Sequence, residues 1–476
     1  MNRNTALTRG LQILLMTALV AVLSGAYAAD QALLDILLEN GAITQEQYDG
    51  LVEKDTLSSA DFVEQSAVAE SSVSDSVASE VSRQIDLQLP VTSERVNSGF
   101  RFATRDGNWR TDLQWRAQMR YTNPYRSDPR QLSAFNGADQ SNFEARRLRM
   151  KIGGHGFKPW IKYYFEVDLM PSRDVDDSAA AASARVIDWR IDLAKWDWGG
   201  VRLGQWKVDL NRERVDSSGR QQFVERSIAN RVFTIDRQLG VQLRGHLFQD
   251  TPADMRYYAG VFNGEGRGVN NTDDNMMYMG RLQWNFLGRD LPWRQTDVEY
   301  TELPTGSLAI AGATHTGSCT RWSSSGCGNL DGFESPANAA ADQYEINQVV
   351  QEFAFKYRGF SAQQEYHRKR IRDRVSGLRS ELTGGYVQAG YFFHHLIPAV
   401  PAPLELAARY AYVDEPNGTN LILDNERREF TLGANWFISG HNSKLTLDYS
   451  RLTLDDGLVG LDEEGDRVRF QWDVSF

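Results

Sequence analysis

Past its first thirty positions the 476-residue sequence has no run of about twenty apolar residues. A helix needs that length to cross a bilayer, so a bundle of transmembrane helices is excluded. Enzymatic motifs are missing as well: there is no Gly-x-Ser-x-Gly elbow and no His-Glu-x-x-His pair. Gly264-x-Gly266-x-Gly268 lacks the strand-to-helix context of a nucleotide loop and reads as a hairpin tip. The stretch Asn270 to Asn275 departs from calcium-loop spacing, and His394-His395 have no further ligands at metal spacing, so no metal or cofactor is implied. Lysine is scarce. The two cysteines, Cys319 and Cys327, lie in a Gly/Ser-rich stretch and read as one loop-tying disulfide worth ~2–3 kcal/mol, the alternative being two free thiols.

The formal charge of -11 is not spread evenly. Residues 1–28 carry Arg3 and Arg9, and residues 29–97 hold fourteen acids against Lys54, Arg83 and Arg95, which leaves residues 98–476 near neutrality. Arg3 and Arg9 precede the apolar stretch Leu11 to Leu23, and Ala26-Tyr27-Ala28 is a small-residue cleavage site, so 1–28 reads as a secretory signal peptide. Residues 29–97 read as an acidic N-terminal segment. Leu33, Leu34, Leu37 and Leu38, then Gly41 and Thr44-x-x-Gln47, predict a short helix–turn–helix. Val73, Val77, Val81 and Ile85 fit either a self-associating helical stripe or a flexible linker.

What the chain has in quantity is strict alternation. Trp109, Thr111, Leu113, Trp115, Ala117, Met119 and Tyr121 oppose Arg110, Asp112, Gln114, Arg116, Gln118 and Arg120, and the last ten residues repeat the pattern and end on Phe476. Successive strand side chains point to opposite faces, so each such segment has one apolar and one polar wall. The same phase recurs in Ile161 to Leu169, Ile187 to Leu193, Leu239 to Leu243, Val387 to Phe393, Leu404 to Tyr412, Phe430 to Ile438 and Leu445 to Tyr449. This predicts an all-β chain, a transmembrane antiparallel β-barrel of about sixteen strands over residues 98–476. A mean hydropathy of -0.48 is compatible with it, because a wide barrel hides polar residues in a water-filled lumen. Asp174 to Ala184, Thr301 to Asp342 and Gly457 to Asp466 are expected as long outer loops, and Lys356 to Phe360 as a tight turn at the other end.

Residues 200–245 are the most basic stretch, nine cations against five acids. A connection at about 209–237 is too polar to span lipid and too long for a turn, so it is expected to fold into the lumen as a constriction. Arg212, Arg214, Arg220, Arg226, Arg231, Arg237 and Arg244 lie on or beside it, and Arg110, Arg116 and Arg120 extend the positive field along the wall. Arginine presents a planar fork of donors to phosphate or carboxylate, and rings of arginine are a device of anion pores. The alternative for any one of them is a structural pairing with acids such as Glu213, Glu225 and Asp236.

Arg202-Leu203-Gly204-Gln205-Trp206-Lys207, Phe223-Val224-Glu225-Arg226-Ser227, Gln238 to Leu243, Tyr258 to Gly264 and Leu33 to Thr44 resemble landmarks of the phosphate-selective porins of the O and P type. The resemblance implies a sixteen-stranded homotrimer of the Gram-negative outer membrane whose third loop presents arginines to phosphate; by position Arg212, Arg214, Arg220 and Arg226 fall on that loop. The chain departs from the pattern in its few lysines and in the turn Val208-Asp209-Leu210-Asn211, which lacks a proline. The expected function is passive passage of phosphate-like anions, with outer-membrane lipid as surroundings and no nucleic-acid partner. The alternatives are a weakly selective general porin and, from another class, a secreted soluble β-protein that binds or hydrolyses.

Overall fold

The computed structural model describes residues 34–49, 91–96, 98–124, 141–170, 184–271, 273–324, 326–416, 424–456 and 461–476. Two units separate, Met1–Leu89 and Pro90–Phe476. In the first, short helices cover 34–39 and 45–49. Gly41, with φ of 69°, takes the left-handed conformation that ends the first helix. Thr44 and Gln47 then cap the second reciprocally: the Thr44 N–H donates to Gln47 Oε1 at 2.9 Å, and the Gln47 N–H donates to Thr44 Oγ1 at 3.3 Å. The leader and the valine stripe lie outside the described residues, as does most of the loop expected from Asp174.

The second unit is one antiparallel sheet. Its strands are β1 (Val91–Val96), β2 (Gly99–Thr104), β3 (Arg110–Asn123), β4 (Asn142–His155), β5 (Ile161–Asp168), β6 (Arg185–Trp196), β7 (Gly199–Lys207), β8 (Arg237–Leu247), β9 (Met255–Phe262), β10 (Met277–Trp284) and β11 (Thr305–Gly317). After a separate hairpin, β12 (Arg321–Ser323) and β13 (Gly326–Gly328), come β14 (Tyr344–Tyr357), β15 (Phe360–Asp373), β16 (Arg379–Tyr391), β17 (Leu404–Pro416), β18 (Asp424–Ser439), β19 (Ser443–Asp456) and β20 (Leu461–Ser475). Each pairs with the next, and β20 returns to β3 with Phe470 opposite Tyr121 and Ser475 opposite Arg116. The ring from β3 to β20 therefore closes on sixteen strands, with β1 and β2 added as a hairpin on the first residues of β3. Closure leaves no unpaired edge in lipid, where an unsatisfied backbone group costs several kcal/mol. β1 pairs with β2 along its whole length, within the unit that begins at Pro90.

Alternation along the strands sorts the two faces. Leu432, Trp436, Leu447, Phe470 and Trp472 are exposed on the outside, while their neighbours Thr431, Asn435, Asp448, Arg469 and Gln471 are buried inside. Three expectations need correction. Ile187 does not share the outward face of Trp189, because a bulge opposite Glu166 and Val167 advances β6 by one residue; Val186 is exposed instead and Ile187 is 1% exposed. The long loop expected from Thr301 to Asp342 contains β11 and starts only after Gly317. The one expected from Gly457 to Asp466 is mostly β20, which begins at Leu461. Arg358 and Gly359, both at positive φ, make the two-residue turn between β14 and β15, the left-handed pair that a type I′ hairpin requires.

The connections at one end are long as far as β14 and short after it, and those at the other end are mostly short, with 285–304 and 392–403 as exceptions. Leu447 stands four residues above the short-turn end of β19, about 10 Å into an apolar band roughly 25 Å tall. Leu447→Arg is expected to lower the free energy of folding into lipid vesicles by about 2–4 kcal/mol in a urea titration. A loss below about 0.5 kcal/mol would mean that this face does not meet lipid.

Candidate functional site: the lumen and its infolded loop

Residues 208–236 join β7 to β8 from the long-loop end and lie inside the barrel. Only α1 (Arg212–Val215) and α2 (Ile228–Phe233) are helical, so most of the backbone N–H and C=O groups need partners from outside the segment. Wall side chains supply them. Glu352 accepts from the Arg212 N–H at 3.0 Å, Glu365 from the Glu213 N–H at 2.6 Å, Asp448 from the Val224 N–H at 2.9 Å and Glu429 from the Ile228 N–H at 3.2 Å. Wall cations take the carbonyls. Arg281 donates to Leu210 O at 3.0 Å, Arg120 to Val224 O at 2.9 Å, Arg409 to Glu225 O at 3.0 Å, Lys369 to Val232 O at 2.5 Å, and Lys444 to Gln221 O. Burial pushes the Glu213 carboxyl up from the ordinary carboxylate range, against the pull of the nearby Arg409.

An apolar core lies within the same cylinder. Val208, Leu210, Ile228, Val232, Phe233 and Ile235 of the loop pack with Trp206, Phe262, Met277, Ile346, Ile371 and Val413 of the wall. Two wall glycines make room for the loop. A Cβ on Gly384 would stand 2.5 Å from the Phe233 ring, and one on Gly433 3.0 Å from the Phe223 ring. The hairpin β12–β13 joins this core from the long-loop end: Cys319 and Cys327 are bonded, Trp322 is buried with its Nε1–H on Gly264 O, and Lys369 also donates to Thr320 O at 3.0 Å.

Sequence reasoning missed a second inserted segment. The connection 285–304 enters from the short-turn end, with Gln295, Thr296 and Asp297 buried. Gln295 accepts from the Gln222 N–H at 2.7 Å and donates to Gln221 Oε1 at 2.9 Å, so it bonds directly to the infolded loop. Lys356 donates to Thr296 O at 2.5 Å, and the Trp293 ring lies 4.7 Å from the Arg281 guanidinium carbon and 5.6 Å from that of Arg212. The one available signal was length, since most connections at this end are tight turns.

The arginines singled out from sequence separate into several environments. Arg212 donates to Pro292 O, and Arg226 donates to Glu213 O at 2.8 Å and Asp216 O at 2.7 Å, so these two bind backbone. Arg214 pairs with Asp236, and Arg237 with Asp188 at 2.7 Å. Arg116 pairs with Asp473 at 2.9 Å and also donates to Ser218 Oγ; Arg120 pairs with Glu225 at 3.1 Å. Arg110 pairs with Asp112 at the start of β3, and Arg244 faces Asp209 at 3.5 Å over the Tyr258 ring. Arg231 lies half-buried on α2.

Arg220 differs. It is exposed, and among the described residues no carboxylate is hydrogen-bonded to its guanidinium. It adjoins Gly219, where a Cβ would meet Arg116 Nε at 2.6 Å, so it projects beside β3. Lys151 of β4 feels the charges of Arg116, Arg149 and Arg220 on one side and Glu166 on the other. Arg294 of the second insertion, paired with Glu299, also lies within electrostatic reach of Arg220. With Arg190 and Arg244 half-buried against the same half of the wall, positive charge is left to water along β3 to β8.

Removing a wall carboxylate strands the loop N–H group it holds, at about 1–3 kcal/mol each. Glu352→Ala with Glu365→Ala is therefore expected to open the loop, seen as trypsin cleavage between residues 212 and 237 and as a larger single-channel conductance. A loop that stays protease-resistant at the parental conductance would refute this role of the wall.

Comparison with known proteins places this geometry. An uncharacterized protein of Aquifex aeolicus (strain VF5) is 24% identical over 342 residues, covering 67% of this chain and 77% of that one. Among solved structures, a loop L8 deletion mutant of OmpT, an outer membrane protein of Vibrio cholerae, superposes with a TM-score of 0.51 at 10% identity, covering 78% of this chain and all of that one. The anion-selective porin from Comamonas acidovorans gives 0.46 at 12% identity, over 77% of this chain and 99% of that one. Residues 120–476 match the family described as Phosphate-selective porin O and P. The sixteen-stranded closed barrel, its lipid-facing outer wall and this match over most of the chain agree, and the chain belongs to that porin family, as a channel of the outer membrane.

Proposed function

We propose that the chain is a passive pore for small anions, with phosphate and similar oxyanions as preferred solutes, exported through a cleaved leader and assembled as a homotrimer. The observation that carries the reading is the charge left over inside. Most luminal arginines are paired, but Arg220, exposed on the infolded loop, and Lys151, half-buried on β4, are hydrogen-bonded to no carboxylate among the described residues. A guanidinium and an ammonium on one solvated stretch exchange part of an anion's hydration shell for hydrogen bonds, and the surrounding paired charges keep the affinity moderate, as conduction requires. Export, assembly and the phosphate preference rest on the leader pattern and on family membership.

A second reading, a general porin of weak preference, is favoured by the pairing itself, since Arg116, Arg120, Arg149, Arg281 and Arg469 all face carboxylates. Planar-bilayer recording separates the two. A phosphate-preferring pore loses chloride conductance when low phosphate is added, and a general one does not.

Arg220→Ala with Lys151→Gln removes two charges worth on the order of 1 kcal/mol each to an ion at contact distance in water. The anion-to-cation permeability ratio from reversal potentials in a salt gradient is expected to fall roughly fivefold or more. Arg226→Ala, which removes donors from loop carbonyls, is expected to broaden the conductance distribution instead. An unmoved reversal potential in the double variant would defeat the assignment.

A further inference from the structure

The outer wall carries a feature that ion passage does not use. Register aligns Arg368, Val349, Gly312, Gly280, Ala259 and Leu243 in one row across β15, β14, β11, β10, β9 and β8. The three small residues in the middle form the floor of an outward groove of about 820 Å³. The row above carries Tyr278 and Val261, and the row below Leu282 and Ile310, so apolar side chains flank the floor on both sides.

One end of this groove is basic. Arg368, Arg370 and Arg372 occupy alternate outward positions of β15, and Glu381 on β16 holds the first two together, at 2.6 Å from Arg368 and 2.9 Å from Arg370. One carboxylate cannot neutralise two guanidinium groups. Arg372 has its own partner, Glu345, at 3.7 Å, and Arg379 adds a further exposed cation on β16. Both Arg368 and Arg370 remain about half exposed, with side-chain values of 49% and 62%.

Their height sets what they meet. Arg368 and Arg370 stand eight and ten positions above Phe360 at the short-turn end of β15. At about 3.3 Å per residue on a strand tilted by roughly 40°, that is about 20–25 Å, the upper border of the apolar band. Arginine stems at that level lie along apolar surface while the charged heads reach the polar layer. Below them the groove runs among hydrocarbon.

We infer that this groove is a binding site for a phosphate-bearing membrane lipid, whose acyl chain lies over Gly280, Gly312 and Ala259 and whose phosphate is bridged by Arg368 and Arg370. Charge complementarity selects this occupant: an apolar trough ending in two guanidinium groups that share one carboxylate fits an amphiphile with an anionic head, and a zwitterionic head satisfies only part of that excess.

Native mass spectrometry of the folded barrel, after exchange into equal mixtures of phosphatidic acid and phosphatidylcholine, tests it. The unaltered protein is expected to retain phosphatidic acid several-fold over phosphatidylcholine, and Arg368→Gln with Arg370→Gln to bring the two to parity. Gly280→Leu fills the trough and is expected to reduce retention of both lipids. A Cβ at Gly280 meets nothing within 4 Å, so this variant should fold, which heat-modifiable gel mobility verifies. The inference fails if the arginine variant keeps the preference or if Gly280→Leu leaves retention intact. It also fails if inorganic phosphate alone displaces the lipid, which would make the site one for a free anion. Dissociation of an oligomer by Gly280→Leu with lipid retention unmoved would make this face an interface between copies and overturn the lipid site.

Discussion

The organisation of this barrel depends on hydrogen bonds between the backbone of an irregular loop and charged side chains of the wall. A segment without regular structure cannot satisfy its own amides, and inside a barrel it competes for little water. Glu352, Glu365, Glu429 and Asp448 hold four of its N–H groups, while Lys207, Lys369, Lys444, Arg281 and Arg409 hold its carbonyls. The wall thus acts as the missing strand for the loop. Each such wall charge in turn needs a neighbour of opposite sign, which is why Glu352 also binds Arg281 at 2.5 Å and Asp448 also binds Arg469 at 2.8 Å.

A functional consequence follows from this charge pattern. A basic loop in a neutral barrel suggests a field set by the number of arginines, yet Arg212, Arg214, Arg226 and Arg237 are each occupied by carbonyls or carboxylates. What reaches water is a small remainder, and its position on one side of the lumen follows from packing. The apolar faces of α2 and of the disulfide-bonded hairpin adhere to β9 through β17, so water and the cations it solvates are displaced toward β3 through β8.

The cylinder was legible because alternation with a period of two is a local property: Trp109 through Tyr121 and Phe430 through Ile438 declare their faces without reference to any partner. β11 was hidden for a reason of packing. Its inward residues include Ser307, Ala309, Ala311 and Ala313, small because inserted chain lies against them, and a strand of small residues reads as a loop. Ile187 was misplaced because a bulge depends on pairing with β5 and leaves no mark in β6 itself. The site was legible only as a location. Residues 200–245 announced a basic insertion, but the carboxylates that hold its backbone N–H groups stand far along the chain on β14, β15, β18 and β19, and the carbonyls that occupy Arg212 and Arg226 carry no mark in the sequence.

The inward lysines and arginines overlap in what they bind. Carboxylates in the wall are met by arginine, whose planar fork pairs two nitrogens with two oxygens, as Arg469 does with Asp448 at 2.8 and 2.9 Å and Arg281 with Glu352 at 2.5 and 2.7 Å. Carbonyls of the inserted segments are met by both kinds of cation: Lys207 reaches Arg214 O and Asp216 O, Lys356 reaches Thr296 O, and Lys369 reaches Val232 O and Thr320 O, while Arg120, Arg281 and Arg409 reach Val224 O, Leu210 O and Glu225 O. An ammonium on a flexible stem suits carbonyls that diverge at irregular angles, and a guanidinium has donors enough to pair with a carboxylate and reach a carbonyl as well, as Arg281 does with Glu352 and Leu210 O. Arg226 binds the carbonyls of Glu213 and Asp216 from within the loop. Scarcity of lysine is therefore no sign of a weakly charged pore: several of the lysines that do face inward are committed to tying inserted chain to the wall.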